Sequence, residues 1–171
     1  MVHSEVPLDL QNQALELVKT RFPEELVGTG AHAGRCWAEV KRGRIVEILR
    51  TLRDELGFNM LMDITCVDWL NQGKPERFSV VYELTQIPSG KSFRLHAWVP
   101  EDDPTIDSVI PVWLAADWGE REIFDMFGLR FNNHPNLKRI LLPETYTGYP
   151  LRKDYPVIGR GERYDFPKHT R

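Results

Sequence analysis

Residues 118–135, WGEREIFDMFGLRFNNHP, bring together the side chains of this chain best suited to chemistry. Glu120, Glu122, Asp125 and His134 are its acids and its imidazole; Arg121 and Arg130 are its bases. On a helix starting near Trp118, Glu122 and Asp125 stand at i and i+3 and are neighbours, while Arg121 and Asp125 stand at a salt-bridge spacing of i and i+4. Three chemistries fit these types. Glu122 and Asp125 are candidates for a general acid–base pair. Glu122, Asp125 and His134 are candidates for a metal site. Or the cluster is an ion-paired knot that fixes where the following segment leaves the domain.

The spacing is diagnostic of neither of the first two. Glycosidase carboxylates come from separate elements facing a sugar cleft, and no such cleft is marked here. His3, His32, His96 and His169 give His134 no partner at i+4. The acids are also nearly compensated by Arg121, Arg130, Lys138, Arg139, Arg152 and Lys153. Charge networks of that kind are often structural.

These residues need elements to position them. Asp9 is placed to cap a first helix through Leu10, Ala14, Leu17 and Val18, and Pro23 ends it. CWAEV (36–40) reads as a strand. Ile45, Ile48, Leu49, Leu52 and Leu56 form one apolar stripe of a second helix, with Gly57 as its stop. NMLMDITCVDWL (59–70) is a strand apolar on both faces, as a central position in a sheet requires. FSVVYELTQ (78–86) and SFRLHAWVP (92–100) alternate and, with PSGK (88–91) between, form a hairpin. Thr105 or Asp107 opens a helix through VIPVWLAA. Asp117 caps the helix WGEREIFDMF, which Gly128 closes. The expected fold is α+β, with helices packed on one face of a mostly antiparallel four-stranded sheet. Residues 1–128 form this domain and residues 129–171 an extended, Pro-rich C-terminal tail.

From Pro150 onward six bases face three acids, a balance of +3; the whole chain carries −3, so the remainder carries −6. Tyr146, Tyr149, Tyr155, Tyr164 and Phe166 are interleaved with the bases. Tyr and Arg dominate interface hot spots, so the tail has the composition of a binding surface. A balance of +3 beside an acidic domain is too small for a nucleic-acid site. With 171 residues, 42% apolar and 27% charged, the composition is that of one globular domain. No apolar run reaches the roughly 20 residues of a spanning helix, and the N-terminus has no secretory signal pattern. Cys36 and Cys66 are too few to hold an iron–sulfur cluster or a structural zinc ion. If this chain serves a redox system, it does not carry the metal.

EREIFDMFGLRFNNHPNLKRILLPETYTGYPLRKDYP (120–156) resembles the signature region of the 30 kDa subunit family of NADH-quinone oxidoreductase, respiratory complex I. The pattern rests on Glu120, Arg121, Glu122, Asp125, Met126, Phe127, His134, Lys138, Ile140 and Leu141, and Gly128, Pro135 and Arg139 join them as signature and docking residues. Its continuation is Pro150, Leu151, Arg152, Lys153, Asp154 and Tyr155. Tyr149 stands where many relatives have His. The resemblance implies signature and docking roles for these residues, with no catalytic or metal role. It implies a non-catalytic structural and assembly subunit of the peripheral arm of a proton-translocating enzyme. FMN and the iron–sulfur clusters that pass electrons from NADH to quinone then lie in other subunits, and this chain has no cofactor of its own. The implied partners are the D (quinone-site) subunit and the iron–sulfur B and I subunits. The implied location is the cytoplasmic side of the inner (cytoplasmic) membrane, touched only indirectly through the complex. The other readings are an equivalent subunit of a membrane-bound hydrogenase, and a stand-alone metal-dependent hydrolase built on Glu122, Asp125 and His134.

Overall fold

Among the described residues, apolar periodicity resolves into three helices and seven strands. The computed structural model describes residues 9–161. In chain order these are α1 (Leu10–Arg21), β1 (Leu26–His32), β2 (Arg35–Lys41), a short 3-10 turn (Arg42–Arg44), α2 (Ile45–Leu56), β3 (Met60–Asp68), β4 (Phe78–Gln86), β5 (Lys91–Val99), β6 (Thr105–Asp107), α3 (Ala116–Phe127) and β7 (Arg130–Asn132). The expected α+β class holds, with five strands in the main sheet, ordered β1-β2-β5-β4-β3. All its neighbours are antiparallel except β2 and β5. β6 and β7 form a separate parallel pair.

The core lies between the sheet and the helices. Ile45, Ile48, Leu49 and Leu52 of α2 are fully buried, and they meet Phe58, Val80, Tyr82, Leu84, Phe93 and Leu95. Gly57 closes α2 with φ of 70°, a left-handed conformation that costs glycine nothing. α3 crosses β3 so closely that a Cβ on Gly119 would lie 2.1 Å from Ile64 Cγ2. The opposite face of the sheet carries Trp37, Glu39, Thr65, Val81, Glu83, Arg94 and His96 along an open groove.

Four expectations change. β1, LVGTGAH, escapes pattern reading because Gly28 and Gly30 interrupt the alternation; Gly30 lies under the Trp37 ring, which supplies the packing that the glycine lacks. β3 is an edge strand rather than a central one. A bulge between Leu61 and Asp63 resets its alternation and leaves Met60 and Met62 exposed, which mimics a strand buried on both sides. Thr105–Asp107 does not open a helix: it pairs with β7, and Pro111 keeps the following residues in turns that bury Val109, Val112 and Trp113. α3 begins two residues earlier than expected, with Asp117 in its first turn and no side-chain cap.

The boundary drawn at 128/129 falls inside packed structure. Leu129 and Phe131 are buried, and β7 pairs with β6. The segment beyond forms successive turns instead of an extended strand: Tyr149–Arg152, Arg152–Tyr155 and Pro156–Gly159 each close with a backbone hydrogen bond. Arg163, Tyr164, Phe166 and Lys168 of the basic aromatic tail lie outside the described residues. Among the described residues, no helix is long and apolar enough to cross a membrane.

Candidate functional site

Helix α3 presents its acids in different directions because 3.6 residues make a turn. Ile123 and Phe127 point into the core, and Glu120 shares their stripe at i−3 and i−7. Asp125 is also fully buried, on the side facing the returning chain, whereas Glu122 is exposed. The expected Glu122–Asp125 pair is therefore not formed.

Asp125 is an anchor. One carboxylate oxygen accepts from Arg139 Nη1 at 2.6 Å. The other accepts three successive backbone N–H groups, from Ile140 at 2.9 Å, Leu141 at 2.7 Å and Leu142 at 2.9 Å. Successive amides turned toward one point make an anion-binding concavity. Burial alone would raise the acid, but the Leu142 amide, the Arg139 guanidinium and the Ile140 and Leu141 amides outweigh it and hold the carboxyl below the ordinary carboxylate range. The expected Arg121–Asp125 salt bridge gives way to this arrangement. Arg121 instead donates to the carbonyls of Lys138 and Arg139 and lies over the Trp118 ring.

The GYPLRKDY segment returns to the end of the same helix. Leu151 N–H donates to the Met126 carbonyl at 3.2 Å, and the Arg152 guanidinium donates to the Phe127 carbonyl. These are carbonyls a helix leaves open at its C-terminus. Gly128 takes φ of 75° there, and a Cβ on it would lie 2.6 Å from the Tyr149 ring. Tyr149 is sandwiched between Arg139 and Arg152, and Arg152 also faces Phe78. Pro150 sits half-buried within this return. Tyr155 hydroxyl meets Tyr146 hydroxyl at 2.6 Å.

A second clasp lies at the end of β3. Asp68 accepts from Arg77 through both oxygens, from Leu70 N–H and from Lys153 N–H. Arg77 also reaches Glu101 and Asp154, the latter at 2.6 Å. Burial pushes Asp68 up, but Arg77 and the Lys153 and Leu70 amides overcome it and leave the acid lowered. Arg77 escapes sequence reading because its three acids come from positions 68, 101 and 154; a buried turn aspartate beside Trp69 was the available signal.

Glu120 and His134 form a third group. Glu120 accepts from Ser108 Oγ and Val109 N–H, both at 2.7 Å. The His134 side chain is fully buried. Its Nδ1 accepts from Asn136 N–H, so Nε2 carries the proton and points to the Asp117 carbonyl and carboxylate, each at 3.3 Å. Pro135 is exposed. Among the described residues, no group of three His, Cys, Asp or Glu side chains stands close enough to hold a metal ion. Glu122, Asp125 and His134 therefore do not assemble the candidate triad: Asp125 and His134 are engaged by other groups and Glu122 is exposed.

Residues 38–161 match the family model described as respiratory-chain NADH dehydrogenase, 30 Kd subunit. The chain is 46% identical over 148 residues to the C subunit of NADH-quinone oxidoreductase from Citrifermentans bemidjiense, covering 86% of this chain and 91% of that one. It is 40% identical over 150 residues to NADH-quinone oxidoreductase subunit 5 of Thermus thermophilus, covering 81% and 72%. A solved trypsin-resistant fragment (1-134) of Nqo5 superposes with a TM-score of 0.67 at 34% identity, covering 75% of this chain and 100% of the fragment. A chain of an archaeal membrane-bound sulfane sulfur reductase shares the fold, with a TM-score of 0.74 at 21% identity over 95% and 96% of the two chains.

Proposed function

This chain belongs to the respiratory-chain NADH dehydrogenase 30 kDa subunit family, and from that premise we propose that it is a non-catalytic structural and assembly subunit of the peripheral arm of a proton-translocating NADH:quinone oxidoreductase. The observation that carries this reading is the use made of Asp125. Its carboxylate is filled by three amides and a guanidinium of its own chain, and so is spent on shaping a surface. Asp68 is spent in the same way.

Large apolar side chains also stand outward on this chain. Leu114 is 82% exposed, Trp118 64% and Ile158 89%, and Val157 is fully exposed beside Ile158. Large apolar groups held outward on an ordered frame suit a protein–protein contact. In this reading the tail beyond Tyr155 wraps on the neighbouring D subunit and on the iron–sulfur B and I subunits. FMN and the clusters that carry electrons from NADH to quinone reside in those and other partners. The chain reaches the cytoplasmic face of the membrane through the complex. The trypsin-resistant fragment (1-134) of the relative Nqo5 supports a stable domain in the part of this chain that it matches.

The test is affinity capture of the tagged full chain from gently solubilised membranes. Recovery in a multi-subunit, iron-bearing assembly with NADH-to-quinone activity supports the proposal. An iron-bearing assembly lacking NADH activity would point to the hydrogenase-type reading. A chain recovered alone would overturn both.

A further inference from the structure

Glu120 is the one acid of α3 whose burial is not repaid by a fixed cation. Its side chain has no exposure, and its two hydrogen bonds come from a neutral hydroxyl and a neutral amide. Among the described residues, the only group within ion-pairing range is the imidazole of His134, whose Nε2 lies 3.9 Å from Glu120 Oε2. That is beyond hydrogen-bond range. The groups facing Glu120 from the surrounding elements are otherwise acidic or neutral. Asp117 comes from α3 itself and Ser108 from the turn after β6. From β4 the Tyr82 hydroxyl, without a hydrogen-bond partner among the described residues, is pushed up by burial and then by Glu120, Cys66 and Asp107.

We propose that Glu120 and His134 form a buried proton-binding site whose occupancy sets how tightly the His134–Asn136 turn is held against α3. With the proton on Glu120, the carboxyl is neutral and the His134 Nε2–H turns to Asp117. The Asn136 N–H then seats on Nδ1 at 3.0 Å. Release of that proton to solvent leaves a buried carboxylate facing Asp117. The donor nearest to it is the same Nε2–H. Swinging that donor from Asp117 to Glu120 closes the 3.9 Å gap and pulls the ring from the Asn136 amide. One proton is exchanged, and no other bond is made or broken covalently. Burial, helped by Asp117 and opposed by Ser108 and the Val109 amide, pushes Glu120 up to about 7, which puts the exchange in the neutral range. The inference concerns this chain alone and stands whether or not the assembly proposed above is its home.

Nuclear magnetic resonance of the labelled full chain tests it. The Glu120 carboxyl carbon is followed from about pH 5 to about pH 8.5, together with the exchange protection factors of the Asn136 and Val109 amides. The expected result is a Glu120 titration near neutrality. Over the same range Asn136 protection drops about tenfold while Val109 protection stays, because a carboxylate remains a good acceptor for it. In E120Q the Asn136 step disappears. In H134Q the Glu120 titration persists without the Asn136 step. Titration of Glu120 in the ordinary carboxylate range, or an Asn136 step that survives E120Q, overturns the proposal. If E120Q does not fold, the wild-type titration and H134Q decide the matter by themselves.

Discussion

The Asp125 carboxylate and the Arg139 guanidinium meet at 2.6 Å in the interior, and from that contact Asp125 also gathers the amides of the next three residues. The helix and the returning chain are thereby one unit. Asp125→Ala leaves Arg139 and three amides without their acceptor. The expected loss is about 3–5 kcal/mol of unfolding free energy, read from urea titrations. Asp125→Asn keeps an acceptor and loses the charge, so its cost is smaller, about 1–3 kcal/mol.

Arg77 is held to the same standard. Its guanidinium joins Asp68, Glu101 and Asp154, and Asp68 is buried beside it. Arg77→Met strands the Asp68 charge and frees the tail. Trypsin then cuts at Arg152 and Lys153 at a protein concentration and temperature where the parent chain resists, and stability falls by about 3 kcal/mol or more.

Two glycines with the same backbone differ in what lies above them. Gly57 and Gly128 have φ of 70° and 75°. A Cβ at position 57 meets only the flexible end of Gln86 at 3.1 Å, whereas one at 128 meets the Tyr149 ring at 2.6 Å. Gly57→Ala is expected to cost about 1 kcal/mol, the ordinary left-handed penalty. Gly128→Ala costs clearly more, because it also displaces Tyr149 from between Arg139 and Arg152; thermal melts of the two variants compare them directly.

Stability varies with pH in two opposite senses. Asp125 and Asp68 are lowered in the folded chain, so their contribution is present above the unfolded carboxylate value near 4 and is lost as pH falls through the folded values. Glu120 is raised from 4.5 to about 7, so its contribution is complete below about 4.5 and lost as pH rises through about 7. The urea midpoint is therefore expected to peak at about pH 4.5, to decline as pH rises to about 7 and to level off above it. That decline flattens in Glu120→Gln.

Val157 and Ile158 are exposed and bury almost no surface against the domain. Changing both to Asp leaves the melting temperature within about 1–2 °C of the parent, as surface changes do. The same change lowers recovery of partner subunits in affinity capture if this turn is the docking point.

The helices and the hairpin are legible because each shows its own period: the stripe from Ile45 to Leu56, the stop at Gly57, and the alternation of Phe78 to Leu84. β1 and β6 are not, because glycine hides the first and three residues are too short a run for the second. At the site, spacing singles out a segment that holds two buried acids, Glu120 and Asp125, but assigns Asp125 the wrong partners. It pairs Asp125 with Glu122 and Arg121, its helical neighbours. The partners Asp125 has are amides at 140–142 and Arg139, and no side-chain pattern records where a backbone will turn. The burial of Glu120 is written in its register with Ile123 and Phe127, a stripe that pattern reading follows for its apolar members only.

The Asp68–Lys153 and Arg77–Asp154 contacts join residues 85 and 77 positions apart in the chain. During synthesis the sheet and α3 emerge first, and the residues that finish them arrive afterwards. Until then Asp68 and Arg77 have each other, the Leu70 amide and Glu101 as partners, and the last carbonyls of α3 are left to water. Arrival of residues 148–155 is thus registered at the sheet edge itself, where a copy lacking them differs by an open, charged notch.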